Sequence, residues 1–218
     1  NHAVAHIELG KKLTGATDPL IVYVSGGNSQ ILVLDREKYR VLGETLDMGV
    51  GNLLDSFGRS LGLGFPAGPK IDEMYFEGKE FVHLPYSVKG MDLQFTGLQT
   101  AAEKKISKVN EKDLSFSLMH TAYAMMAEVT ERALSFTGKK EILITGGVAC
   151  SKALQKVFSE MCSERNVKFF VCPCKYAVDN SVMIGWTGLL QFKSGERTKV
   201  SESKVIQRFR ADTVEIKW

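Results

Sequence analysis

No apolar stretch among these 218 residues reaches the roughly 18 positions that a membrane-crossing helix needs, and no secretory leader is visible. No sign of charge dominates. Lys plus Arg is 28 and Asp plus Glu is 25, a balance of +3, too mild to prove a nucleic-acid partner and too mixed to exclude one. Cysteine is sparse: Cys150, Cys162, Cys172 and Cys174 have no paired CxxC spacing and no small secreted frame, so reduced thiols in a cytosolic setting are expected. Cys172-Pro-Cys174 lacks a second pair and reads as structural thiols. There is no low-complexity tract and no internal repeat. With 44% hydrophobic and 24% charged residues, disorder, collagen and coiled coil are excluded. Three catalytic signatures are missing as well. No glutamate lies between His2 and His6, which argues against a zincin-type protease; no lysine follows the glycine turns as in a Walker loop; and no Ser-His or Cys-His arrangement supplies a nucleophile.

What is present is an ordered series of elements, on a length that suits one large domain or two small lobes. Residues 1–13 have helical spacing through Val4, Ala5, Ile7 and Leu9, and the chain opens at Asn1 inside this pattern, so a preceding segment is expected. Leu20 to Val24, Ser29 to Leu34 and Tyr39 to Leu46 read as three strands, the first two joined by Ser25-Gly26-Gly27-Asn28, which makes an antiparallel meander. Helices follow at Asn52 to Leu61 and Ile71 to Phe76, around a shaped loop from Gly62 to Pro69. Residues 78–100 read as an irregular insertion, and Leu114 to Phe136 as the longest helix. Strands at Glu141 to Thr145 and Lys168 to Val171 alternate with helices at about Ser151 to Arg165 and Asn180 to Phe192. Past Gly195 the chain is polar without strong period. A meander followed by alternating helix and strand predicts an α/β ribonuclease-H-like lobe, a mixed sheet with flanking helices.

Five constellations could carry chemistry. His2 and His6, at i and i+4, place two imidazoles on one helical face, either as packing residues or as two ligands of a metal that would need further donors. Tyr23-Val24-Ser25-Gly26-Gly27-Asn28 is a glycine turn that either closes a hairpin or lets N–H groups approach a phosphate. Gly146-Gly147-Val148-Ala149 stands between a strand and a helix, where a ligand could approach the helix N-terminus, so the two turns together predict a nucleotide cleft. Asp179-Asn180 is first of all a helix cap, yet a carboxylate there could join imidazoles on a metal. Asp55, with Phe65-Pro66-Ala67-Gly68-Pro69-Lys70-Ile71-Asp72, offers either a solvated helix face or ribose contacts beside a rigid wall. His83 and His120 read as surface or packing residues, Met119, Met125 and Met126 as core filling, and Lys104, Lys105 and Lys108 as a solvated face.

Taken in order, NHAVAH, YVSGGNSQ, LLDSFGRSLGLGFPAGPKID, FTGLQTA, ITGGVA, VDNSVMIGW and RFRADTVEIKW resemble the motifs of the universal tRNA threonylcarbamoyladenosine transferase family. That family supplies the catalytic subunit of the archaeal and eukaryotic KEOPS complex, and the ending resembles its archaeal branch. The resemblance covers essentially the whole chain. It implies an actin-like ATPase fold of two lobes around a cleft, with residues 1–19 a metal-ligand helix and linker from the first lobe. Residues 20–218 would be the second lobe, with the insertion at about 78–100. The family's chain begins earlier, so a fragment lacking most of the first lobe is implied, and the fragment alone is not expected to be active.

The activity implied is transfer of threonylcarbamoyl from threonylcarbamoyl-AMP to the exocyclic amine of the adenosine beside the anticodon, releasing AMP. Residue by residue, His2, His6, Asp179 and Tyr23 match the family's metal contacts, for one divalent ion per subunit, with iron favoured over zinc. Tyr23, Val24, Ser25, Gly26, Gly27, Gly146 and Gly147 match the phosphate and nucleotide turns that take threonylcarbamoyl-AMP, ATP or AMP. Asp55, Gly68 and Asp72 match nucleoside contacts, Ser151 stands where the family usually has Asn, and Ala67 replaces a usual Gly. The implied partners are tRNA, a small atypical protein kinase that some members carry fused C-terminally, and a small dimerising subunit, all in the cytoplasm and without a membrane. A phosphotransferase or ATPase of the same superfamily would share the turns but has no use for His2, His6 and Asp179 together. A nucleotide-binding scaffold is the non-catalytic alternative.

Overall fold

The computed structural model describes residues 1–207 and 209–218; Arg208, the first residue of the RFRADTVEIKW ending, lies outside the described residues. Five strands, β1 (Leu20–Val24), β2 (Ser29–Asp35), β3 (Lys38–Glu44), β6 (Glu141–Thr145) and β7 (Lys168–Val171), form one mixed sheet in the order β3-β2-β1-β6-β7. The meander pairs antiparallel, whereas β6 joins β1 and β7 joins β6 in parallel, as crossovers through helices require. A small hairpin, β4 (Val88–Lys89) with β5 (Asp92–Leu93), stands apart from it. Every residue of β1 is buried, which suits a central strand covered on both faces.

The alternation of β1 sorts the two faces. Leu20, Val22 and Val24 point into the larger core, built from α2 (Val50–Ser60), α3 (Gly68–Glu77), α4 (Thr96–Glu103), α5 (Glu111–Thr137) and α6 (Lys152–Glu164). Ile21 and Tyr23 face α1 (His2–Thr14) and the C-terminal residues Ala211, Val214 and Ile216. On that same side α8 (Ser181–Lys193) packs on α1 through Met183, which meets Ala5 and Leu9. α1 is therefore one of the helices flanking this sheet. Met119, Met125 and Met126 of α5 are fully buried, as the core-filling reading expects. Lys104 and Lys108 are exposed and His120 packs against Phe81 and Phe116, so these residues fall where expected.

Several expectations need correction. α3 begins at Gly68 rather than Ile71, because Pro69 in its first turn has no N–H to lose and is pre-set for a helix. β3 ends at Glu44 rather than continuing to Leu46, since Leu46 turns away to donate to the Leu93 carbonyl at 2.9 Å. Residues 78–100 are not wholly irregular: they contain the β4–β5 hairpin and the start of α4. A short helix, α7 (Cys174–Ala177), was not expected. The four reduced thiols are overturned for two of them: Cys150 and Cys174 form a disulfide, while Cys162 and Cys172 are free and buried. Count and spacing cannot reveal this pair, because only the fold brings residues 24 apart in sequence to a Cα separation of 5.1 Å.

The cap of α4 comes from a distant residue. Asp47 accepts the N–H groups of Phe95 and Thr96 at 2.8–3.0 Å, and that of Met48 at 2.7 Å. Partial burial alone would raise this carboxyl, but the backbone donors of Thr96, Phe95 and Met48 outweigh it and hold the pKa at about 2. A carboxyl depressed on folding contributes stability that is present above about 4 and lost as pH falls toward about 2. Because Asp47 is exposed, Asp47→Asn is expected to cost no more than about 1 kcal/mol at pH 7, and to flatten the acid limb of the stability curve measured by urea titration from pH 7 to pH 2.

Candidate active site

The site is built from the N-terminal end of α1 inward. Asn1 caps this helix by accepting the Val4 N–H at 3.2 Å, and the helix lies against the sheet along its Val4–Gly10 stretch. His6 is therefore almost wholly buried, with its backbone carbonyl accepting from Thr145 Oγ1 at 3.2 Å, whereas His2, one turn earlier, is half-exposed. The other partner arrives through α8. Asn180 caps that helix by accepting the Met183 N–H at 3.0 Å, and the α1–α8 packing carries the adjacent Asp179 to the two imidazoles.

Three donor atoms meet there. His2 Nε2 lies 3.0 Å and His6 Nε2 3.1 Å from Asp179 Oδ1, and the two Nε2 atoms are 3.2 Å apart. No distribution of protons satisfies all three contacts. An imidazole nitrogen either donates or accepts, and both must donate to an ionised carboxylate, which leaves two N–H groups facing each other. A central cation accepts all three lone pairs at once, so the donor set fits a metal. Burial lowers the pKa of His6, against the pull of Asp179, and favours the neutral imidazole that a metal needs. Burial by itself would raise Asp179, but the bonds and charges of His6 and His2 hold its carboxyl below the usual range. Tyr23 stands beside this trio, its ring centroid 5.6 Å from that of His6, and burial raises its phenol.

A cleft of about 800 Å³ has Val178, the chain neighbour of Asp179, on its lining, whereas His2 and Tyr23 line a separate hollow of about 500 Å³. Gly26, Asp55, Gly68, Asp72, Gly147 and Ser151, all marked in the sequence, line the larger cleft. Gly26 and Gly27 are exposed backbone at the tip of the turn, closed by the Ser25 N–H on the Asn28 carbonyl at 2.8 Å. The first turn of α2 presses on this loop: Gly51 and Asn52 donate to the carbonyls of Ser25 and Gly26 at 3.2 and 3.0 Å, and a Cβ on Gly49 would collide with Gly26 and Asn28. At the end of the adjacent strand β6, just before the cleft-lining Gly147, Gly146 has φ +99°, and a Cβ there would drive into the Val24 backbone.

Four marked residues have structural duties in the described molecule. Asp72 accepts from Ser151 Oγ at 2.5 Å and from the Lys152 and Ala153 N–H groups at 3.0 and 3.1 Å, so both oxygens cap α6. Ser151 Oγ also accepts from Tyr123 at 3.1 Å. Asp55 accepts the Ala67 N–H at 2.8 Å, which fixes the proline loop against the cleft, and Val24 presents only backbone. The cleft also holds residues that sequence reasoning missed: Glu73 and Phe76 on α3, Lys152, Val178 and the Cys150–Cys174 bridge. The i+4 spacing of Phe76 from Asp72 was a readable signal; the bridge left none.

A five-stranded mixed sheet in the order β3-β2-β1-β6-β7, with helices on both faces, defines a lobe of the actin-like ATPase fold. The solved structure of HypF from T. kodakarensis superposes with a TM-score of 0.69 at 15% identity, over 86% of this chain and 36% of that one, a likeness of fold alone. The model of the family described as tRNA N6-adenosine threonylcarbamoyltransferase matches residues 1–186. A Methanocella arvoryzae protein of that same description is 51% identical over 218 residues, all of this chain and 68% of its own length. A probable bifunctional tRNA threonylcarbamoyladenosine biosynthesis protein from Methanothermobacter thermautotrophicus is 46% identical over 219 residues, all of this chain and 41% of its own length. The chain belongs to the tRNA N6-adenosine threonylcarbamoyltransferase family, a family of transferases. It spans about two-thirds of the first relative and two-fifths of the second.

Proposed function

We propose that this chain carries the metal site and much of the nucleotide cleft of an enzyme that moves threonylcarbamoyl from threonylcarbamoyl-AMP to the exocyclic amine of a tRNA adenosine. The single observation that supports a metal-assisted reaction is the three-way convergence of His2, His6 and Asp179, which no proton arrangement satisfies. The two-histidine, one-carboxylate donor set would suit a divalent ion, with iron favoured over zinc by the family resemblance. Tyr23 stands by as a further contact.

When bound, such a metal supplies a positive charge against the phosphate side of the substrate. The rest falls to the protein. The exposed Gly26 and Gly27 backbone takes the phosphate, the Gly146–Gly147 turn and the Asp55-braced loop enclose the nucleoside, and Asp72 holds the N-terminus of α6 in place behind it. In the reaction the adenosine nitrogen attacks the carbamoyl carbon, the new C–N bond forms, the C–O bond to phosphate breaks, AMP leaves with both electrons of that bond, and the proton lost by the amine passes to solvent. AMP is a good leaving group, so no protein nucleophile is needed.

The partners proposed are tRNA and KEOPS-type subunits, including a small atypical kinase and a small dimerising subunit, in the cytoplasm. The bifunctional name of a relative in which this chain covers two-fifths of the length supports a fused partner domain there. Among the described residues no helix is long and apolar enough to cross a membrane. Neither a phosphotransferase nor a scaffold accounts for the trio.

The test supplies threonylcarbamoyl-AMP and unmodified tRNA to the protein with its partners and follows the modified nucleoside by mass spectrometry. Threonylcarbamoyladenosine with stoichiometric AMP release is expected. ATP hydrolysis without acyl transfer would place the protein with the phosphotransferases.

A further inference from the structure

The Cys150–Cys174 disulfide sits where it can act on both halves of the site. Cys150 ends the 3-10 turn Gly147–Cys150 that follows β6, so it closes the glycine turn of the cleft. Cys174 opens α7, which runs through Ala177 to Val178 and the metal-facing Asp179. Both cysteines line the cleft, so the bridge is a covalent strap across one wall, tying the glycine turn to the segment that delivers Asp179. Cys174 is exposed, open to an attacking thiolate, whereas Cys172 and Cys162 are buried with thiols pushed up in pKa by desolvation, which removes them as competitors for exchange. α7 is also held by packing, with Ala177 fully buried in the main core and Tyr176 against both that core and the Ala5–Leu9–Met183 cluster, while Asn180 Nδ2 on the Tyr176 and Val178 carbonyls at 3.2 and 2.8 Å ties it to α8. The bridge is the covalent tie between its first residue and the glycine turn.

We propose that this bridge is a redox-responsive strap: a cellular dithiol opens it, loosening the Gly146–Cys150 turn and the Cys174–Asp179 segment together and weakening the hold on nucleotide and metal. Opening breaks the Sγ–Sγ bond, leaves two cysteine thiols, and converts the dithiol to its own disulfide, a two-electron, two-proton exchange. An exposed bridge in a chain otherwise expected to keep its thiols reduced belongs with the labile, regulatory class rather than with the buried structural one. The same chemistry is absent from the reaction itself, so the strap modulates the site without taking part in acyl transfer.

This regulation rests on the cleft being the nucleotide site, and the experiment separates the two. The full-length protein is prepared oxidised and dithiothreitol-reduced, along with Cys150→Ser/Cys174→Ser. Amide hydrogen exchange is followed in residues 146–151 and 173–180, and AMP affinity by calorimetry. The expected result is faster exchange in both segments on reduction and AMP binding about threefold to tenfold weaker, with the double variant matching the reduced protein and insensitive to dithiothreitol. Equal exchange in both states, or a thiol count showing Cys150 and Cys174 unpaired under oxidising conditions, would overturn the strap. AMP bound in neither state removes the nucleotide reading, and the exchange result then still decides whether the strap exists.

Discussion

Replacing His2 and His6 together by alanine is expected to abolish stoichiometric metal in the purified full-length protein. The parent should hold one equivalent by elemental analysis, and the variant at least about 100-fold weaker affinity, because two of three protein ligands are gone. His2 is half-exposed and its side-chain hydrogen bonds among the described residues are those with His6 and Asp179, so His2→Ala alone separates metal loss from misfolding. That single variant should keep its unfolding free energy in the presence of chelator within about 0.5 kcal/mol of the parent's while losing most of its metal. Acyl transfer should fall with metal content in both variants. Full metal occupancy in the double variant would show that the ion, if any, is held elsewhere.

The second large effect belongs to Gly146. Its φ of +99° and the Val24 backbone facing it leave no room for a side chain. Gly146→Ala should cost about 3 kcal/mol or more. That is a fall in melting temperature of about 6–12 °C for a chain of this size, read by calorimetry, with loss of AMP binding as the wall of the cleft shifts. Gly27 is the matched control. Nothing lies within 4 Å of a Cβ placed there and its φ is not in the left-handed region, so Gly27→Ala should fold normally and report only on ligand contact at the turn.

Periodicity and turn chemistry made much of this legible. The strand runs, the Gly-Gly turns and the i,i+4 histidines are local patterns, and the sheet they build has the order and sense expected of a ribonuclease-H-like lobe. What escaped reading is what the fold alone joins. α4 has no local cap and a glycine at Gly97; its N-terminus is held by Asp47, some fifty residues upstream, so no nearby signal announces it. Asp72, a nucleoside contact by family resemblance, lines the cleft and in addition caps a helix eighty residues on, a duty no local signal announces. The cysteine pair is a meeting of a turn and a short helix that spacing does not encode. Helical pattern places α8 but not its burial: Val182, Ile184, Leu189 and Phe192 are exposed, and only Met183 and Thr187 of the helix are buried. Asp179 lies between these cases, since its capping neighbour is local but its approach to His2 and His6 depends on α1 packing against α8.

The most direct measurement is anomalous diffraction from crystals of the full-length protein grown with iron(II) under anaerobic conditions, collected on both sides of the iron absorption edge. The structure predicts one anomalous peak within bonding distance of His2 Nε2, His6 Nε2 and Asp179 Oδ1. A map with no peak there, or a peak bound by other residues while the three side chains point apart, would contradict it.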